Sequence, residues 1–170
     1  MSVVIPVVDG HTGAPRFEIS HDAPAYALGW SAAHGYLASG DVVGTIYFTD
    51  PRGRRLRTLR VDGVIVGLQF APGGGLLAVA TEDGFVRILE IAGGRELTRH
   101  RRAAFAADLD FAPDGTRLLL AGRDGPVEVW DVAPYRGTSE GLARRLRCLV
   151  PYRLEAGGLT ASPTDPAACE

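Results

Sequence analysis

Three residues in the first quarter of the chain are of the types that nucleophilic chemistry needs. Ser39 offers a hydroxyl, His21 a base and Asp41 a carboxylate to orient it, the set used in acyl transfer. The usual frame is missing, since no G-x-S-x-G turn surrounds Ser39. His11 and His34 fall in loop-like stretches, where a histidine is more often solvated than reactive. Glu82-Asp83 could help hold a cation, but acids in a turn more often serve the turn. Gly73-Gly74-Gly75 is not a phosphate loop, because no Gly-Lys-Ser/Thr follows it. Cys148 and Cys169 form neither a C-x-x-C pair nor a disulfide framework. No catalytic site, cofactor or metal is expected, and the chain is not expected to be an enzyme.

Arginine carries the remaining chemistry. All 18 basic residues are Arg, with no Lys and no Asn, a bias that a GC-rich coding sequence explains. Arg52, Arg54, Arg55, Arg57 and Arg60 form one cluster. Arg95, Arg99, Arg101 and Arg102 form a second, and Arg144, Arg145 and Arg147 a third. Each surrounds a stretch that reads as a strand. Charge on an outer strand discourages edge-to-edge pairing. The other reading is a basic rim that meets acidic proteins or nucleic-acid phosphates. No aromatic residues are interleaved for base stacking, and the formal charge is −2, so nucleic acid is the less favoured partner.

The 170 residues suit one domain or part of a larger one. Hydrophobic residues at 46% supply a core, and 22% charged residues argue against wholesale disorder. No apolar run approaches the ~18 residues of a membrane span. Met1 to Gly10 lacks the basic start and apolar stretch of a signal peptide. A soluble, cytoplasmic protein is expected, with no membrane partner.

These residues sit on a repeated element. An apolar strand ending in an acid occurs at Val7-Val8-Asp9, Ile46-Tyr47-Phe48-Thr49-Asp50, Val86-Arg87-Ile88-Leu89-Glu90 and Val127-Glu128-Val129-Trp130-Asp131. The acids at 9, 50, 90 and 131 are 41, 40 and 41 residues apart. A second anchor keeps the same order: Leu28-Gly29-Trp30, Leu68-Gln69-Phe70, Leu109-Asp110-Phe111 and a later Leu159-Thr160-Ala161. A third follows each acid, at Arg16-Phe17, Arg55-Leu56, Glu96-Leu97 and Arg145-Leu146. Apolar runs such as Leu76-Leu77-Ala78-Val79-Ala80 read as strands buried on both faces. Asp83-Gly84, Pro113-Asp114-Gly115 and Asp124-Gly125 read as turns. Four strands per ~41 residues is the pattern of a propeller blade.

On these residues the chain resembles the WD-repeat β-propeller family. Phe-Ala-Pro-Asp-Gly at 111–115, Leu-Ala-Gly-Arg-Asp-Gly at 120–125 and Val-Glu-Val-Trp-Asp at 127–131 look like one standard repeat. The copies at 70–90 and 30–50 are looser, and the likeness runs from about Val3 to Ala161. It implies an all-β fold with three full four-stranded blades near 24–62, 63–102 and 103–150, and partial blades at 1–23 and 151–170. In this family a His, a Ser or Thr, an Asp and a Trp share a buried hydrogen-bond network in each blade. The resemblance assigns His21 and Ser39 to the first network, Asp83 to the second, and His100, Asp124 and Trp130 to the third. Each set is incomplete, with Thr49 in place of Trp and Leu120 in place of the hydroxyl residue. That reading explains His21 and Ser39 without catalysis.

Val3 to Asp9 and Ala14 to Ser20 read as the third and fourth strands of a blade, although Pro6 weakens the first. Pro134 to Leu142 reads as an inserted loop, and Tyr152 to Ala161 as one new first strand. The expectation is a chain that starts and stops within blades. It closes a small ring through a composite blade, or it forms an open arc of about four blades completed by another subunit or chain; the arc is favoured. The family's loop face implies protein contacts through His21, Asp22, Tyr26, Asp62, Glu82, Arg101, Arg102, Phe105 and Arg123. The expected role is a non-catalytic scaffold for other proteins, with a homo-oligomer formed through exposed edges. The alternatives are a nucleic-acid- or anion-associated propeller and, less favoured, a propeller enzyme or ligand sensor.

Overall fold

The fold begins with how a strand ends here. Asp9, Asp50 and Asp131 each close a strand, and each turns its side chain back onto the following loop. Asp50 Oδ1 accepts the Arg52 and Arg54 N–H groups, both at 2.9 Å. Asp9 Oδ1 accepts those of His11 and Thr12, and Asp131 Oδ1 that of Ala133. A short aspartate side chain can cap backbone donors that a strand leaves open, which is why an acid recurs at this point. Glycines then take the left-handed position of the turn, Gly13 and Gly53 among them.

The computed structural model describes residues 3–102, 108–122 and 125–133, and the backbone of 152–155 and 158–161. The chain divides into two compact units, residues 1–133 and 134–170. The described residues are all-β, built from antiparallel sheets, and include no helix.

In the first unit, β1 (Val3–Val8) pairs with β2 (Pro15–His21) as a two-stranded sheet. Pro6 lies in β1, whose described pairing is on one side, the setting in which a sheet tolerates proline. Sheet one follows in the order β3 (Ala25–Ser31), β4 (Tyr36–Asp41), β5 (Thr45–Thr49) and β6 (Arg55–Arg60). Sheet two repeats it with β7 (Ile65–Phe70), β8 (Leu76–Thr81), β9 (Phe85–Glu90) and β10 (Arg95–Arg101). Sheet three has β11 (Asp108–Phe111), β12 (Arg117–Ala121) and β13 (Glu128–Asp131). The fourth strand expected near Arg145 lies outside the described residues.

Successive sheets pack face to face. Ala38, Ile46 and Phe48 of sheet one meet Leu68, Phe70 and Leu77 of sheet two in one core. Ala78, Val86 and Ile88 on the other face of sheet two meet Leu109, Phe111 and Leu118 of sheet three in a second. The middle strands β5 and β8 are buried along nearly their whole length, which is why they read as continuous apolar runs. The first strands lie side by side and line one cleft of about 270 Å³, to which β3, β7 and β11 all contribute. Their approach is close: a Cβ on Gly29 would stand 3.0 Å from the Leu68 carbonyl oxygen.

In the second unit the structure corrects the single strand expected over Tyr152–Ala161. β14 (Tyr152–Glu155) and β15 (Gly158–Ala161) form an antiparallel hairpin, with Tyr152 opposite Ala161. Gly158 opens β15, and a glycine inside an extended run weakens one continuous strand.

Candidate functional site

The end of β2 delivers His21 to the β4–β5 corner of sheet one, where β4 carries Ser39 and Asp41. His21 Nε2 lies 2.7 Å from Ser39 Oγ, and Nδ1 lies 3.3 Å from Asp41 Oδ2. The connectivity is that of a Ser-His-Asp triad. Accessibility is not, because all three residues are completely buried. Asp41 is also committed elsewhere, its Oδ1 accepting the N–H groups of Val43 at 3.0 Å and Thr45 at 2.8 Å. An ionised carboxylate can only accept, so the His21 Nδ1–H is the donor to Asp41. The Tyr47 ring packs on His21 with centroids 4.5 Å apart. Burial pushes the Tyr47 phenol up despite the nearby Arg55 guanidinium, and its hydroxyl donates to Asp22.

Tyr47 marks a position that repeats. It stands three residues before its acid, as do Arg87 and Glu128. In sheet two Arg87 is buried and donates from Nη1 to Thr81 Oγ1 at 2.7 Å, with Glu96 3.4 Å from its Nε. Thr81 Oγ1 in turn lies 2.6 Å from Asp83 Oδ1. Burial pushes Asp83 up, but the bonds from Thr81 and the Phe85 N–H, with the Arg87 charge, leave it below its ordinary value. In sheet three Glu128 accepts from Arg102 Nε at 2.8 Å and lies 3.0 Å from His100 Nε2. Those two partners hold Glu128 below the usual carboxylate range, Arg102 contributing most. The His100 ring leans on Trp130, with centroids 5.5 Å apart.

Each sheet thus places a different polar set at one repeat position, fully buried in sheet one and partly exposed in sheet three. Sequence reasoning identified His21, Ser39, Asp83, His100 and Trp130. It named Asp41 only as the third member of a possible catalytic set and not as part of the first sheet's network, and it missed Thr81, Arg87, Arg102's bond and Glu128. The available signal was a polar residue inside an apolar strand, as in Phe-Val-Arg-Ile-Leu-Glu.

The residues expected on a partner-binding face divide into two groups. Asp22, Tyr26, Asp62, Glu82 and Arg101 are exposed, whereas His21 and Arg102 are buried. Arg102 is held by Glu128 and by the Pro126 carbonyl at 2.9 Å, and its Nη1 has no hydrogen-bond partner among the described residues. Phe105, Arg123 and Asp124 lie outside the described residues.

A cleft of about 280 Å³ between sheets one and two is lined by Arg60, Asp62, Arg87, Glu96 and Arg99 among others. Its charges are mixed. The outer arginines are engaged locally: Arg55 bonds the Ser20 carbonyl and covers the Tyr47 ring, and Arg57 bonds the Ala92 carbonyl. Arg54 pairs with Asp50, and Arg95 and Arg99 approach Glu90 and Glu96. Among the described residues no cluster of His, Cys, Asp or Glu is arranged to hold a metal. Among them, too, no helix is long and apolar enough to cross a membrane. No family model matches the chain, and neither does any curated protein.

Proposed function

We propose that this chain is an arc of WD-type propeller blades and acts as a non-catalytic scaffold that holds protein partners. The observation that carries the reading is the burial of the His21–Ser39–Asp41 set. Its chemistry is spent on joining β2 to β4 and β5, and no substrate can reach Ser39. The repeated sheets, packed face to face with their first strands along one cleft, support the propeller. The exposed Asp22, Asp62, Glu82 and Arg101 offer a mixed-charge protein surface rather than a uniform phosphate-binding one.

Two measurements test this. A fluorophosphonate probe is expected to leave the native chain unlabelled, and labelling at Ser39 would overturn the non-catalytic reading. Immobilised chain is expected to retain a protein partner at both low and high salt. Asp22→Arg combined with Glu82→Arg should weaken binding of that purified partner at least about tenfold, the scale of a 1.4 kcal/mol loss. Retention of nucleic acid alone, released by salt, would overturn the scaffold reading.

A further inference from the structure

A cation interrupts the apolar strand Phe-Val-Arg-Ile-Leu-Glu of sheet two, and its cross-strand neighbour is a cation too. Arg87 of β9 stands directly opposite Arg99 of β10. Side chains opposite one another share a face, and both line the cleft of about 280 Å³ between sheets one and two. Like charges so placed are destabilising, and an anion between them removes the cost. The equivalent pair in sheet one, Tyr47 opposite Thr58, is uncharged.

Glu96 answers that need only in part. The register of β10 shifts between Glu96 and Thr98, which brings Glu96, opposite Leu89, onto the face that carries Arg99. Its carboxylate lies 3.4 Å from Arg87 Nε and 3.8 Å from Arg99 Nε. Charge-assisted hydrogen bonds of this kind run to about 2.7–2.9 Å, so neither contact is a formed bond. Arg87, whose side chain is 4% exposed, is held more firmly on its other side. There Nη1 donates to Thr81 Oγ1 at 2.7 Å, and Asp83 lies 2.6 Å beyond that oxygen. The Glu96 side chain is 38% exposed and can turn to water. From the other wall of the cleft, the Arg60 guanidinium has no hydrogen bond or ion pair among the described residues. Asp62 beside it is exposed, where solvent and salt screen its charge.

Three guanidiniums from two sheets thus face one loosely held carboxylate and one solvated one. We infer that this cleft is a phosphate site: Arg60, Arg87 and Arg99 hold a phosphoryl group, and Glu96 stands in its place when none is bound. A carboxylate has two oxygens to offer, whereas a phosphoryl group has three strong acceptors, one for each guanidinium. Arg87 is fixed beforehand by its bond to Thr81, and the planar guanidinium fork matches a pair of phosphate oxygens. The cleft leaves room for the group together with bound water. The inference does not rest on the scaffold reading. Its failure would leave the partner-binding result standing, and a chain without protein partners would still bind the anion.

The test is calorimetric titration of the full chain, in chloride buffer, with inorganic phosphate, with phosphoserine blocked at both ends and with acetate. Phosphate should bind saturably and raise the thermal midpoint. Arg60→Gln and Arg99→Gln change exposed positions and should keep the native circular dichroism. Each should weaken phosphate binding at least about tenfold. Glu96→Gln should tighten it several-fold, because the internal competitor is gone. Blocked phosphoserine binding more tightly than inorganic phosphate assigns the anion to a modified side chain, and any other order assigns it to a free solute. No saturation by either phosphate species below about 10 mM overturns the proposal. So does acetate binding as tightly as phosphate, binding indifferent to Arg60→Gln and Arg99→Gln, or a Glu96→Gln chain that binds no better.

Discussion

At the residue scale, the His21–Ser39–Asp41 set joins strands of sheet one because none of its members can turn to water. Ser39→Ala removes the hydroxyl that lies 2.7 Å from His21 Nε2 in a site with no solvent access. The expected cost is about 1–3 kcal/mol in urea unfolding. Asp41→Ala should cost more, since it removes the acceptor of the Val43 and Thr45 N–H groups together with the contact to His21. Glu128 gives a pH-dependent counterpart. Its folded-state pKa is depressed by the bond from Arg102 and then by His100. Its contribution is therefore complete above the ordinary glutamate range and lost as pH falls through the depressed value. Glu128→Gln should destabilise the chain at neutral pH by about 1 kcal/mol, allowing for its partial exposure. The gap between the two proteins should close in acid, as read from urea midpoints across pH.

At the element scale, the turns decide where strands stop, and two glycines separate the reasons. Gly35 has φ +65° with open space around it, so an alanine there meets only backbone strain, about 1–2 kcal/mol. Gly44 has φ +83°, and a Cβ there would overlap the Val61 carbonyl oxygen at 2.0 Å. The Val61 N–H also donates to the Gly44 carbonyl at 2.9 Å, which ties the β4–β5 turn to the end of β6. Gly44→Ala should therefore lower the thermal midpoint well beyond Gly35→Ala, and calorimetry of the two variants checks the order. The acids that end strands were legible in the sequence because their work is local. Asp50 bonds donors two and four residues on, and a spacing that short is visible in a string of letters.

At the scale of the whole molecule, equal residues acquire unequal worth from their place in the stack. Phe70→Ala empties a site between sheets one and two and should cost about 3–5 kcal/mol. Trp30→Ala, at the equivalent position, should change stability by no more than about 0.5 kcal/mol at dilutions where the chain is alone. Urea unfolding of the pair at low concentration measures the contrast. The sequence by itself determined the period, the strands between turns and the all-β class, because alternation, glycine turns and capping acids act over a few residues. It also marked His21 and Ser39 as joined, through the family pattern and not through chemistry of their own. Only the tertiary structure could show that Asp41, 20 residues from His21, joins them in a closed and buried set rather than at an open site. Only the stacking could separate Phe70 from Trp30, since burial belongs to the neighbouring sheet and not to the residue.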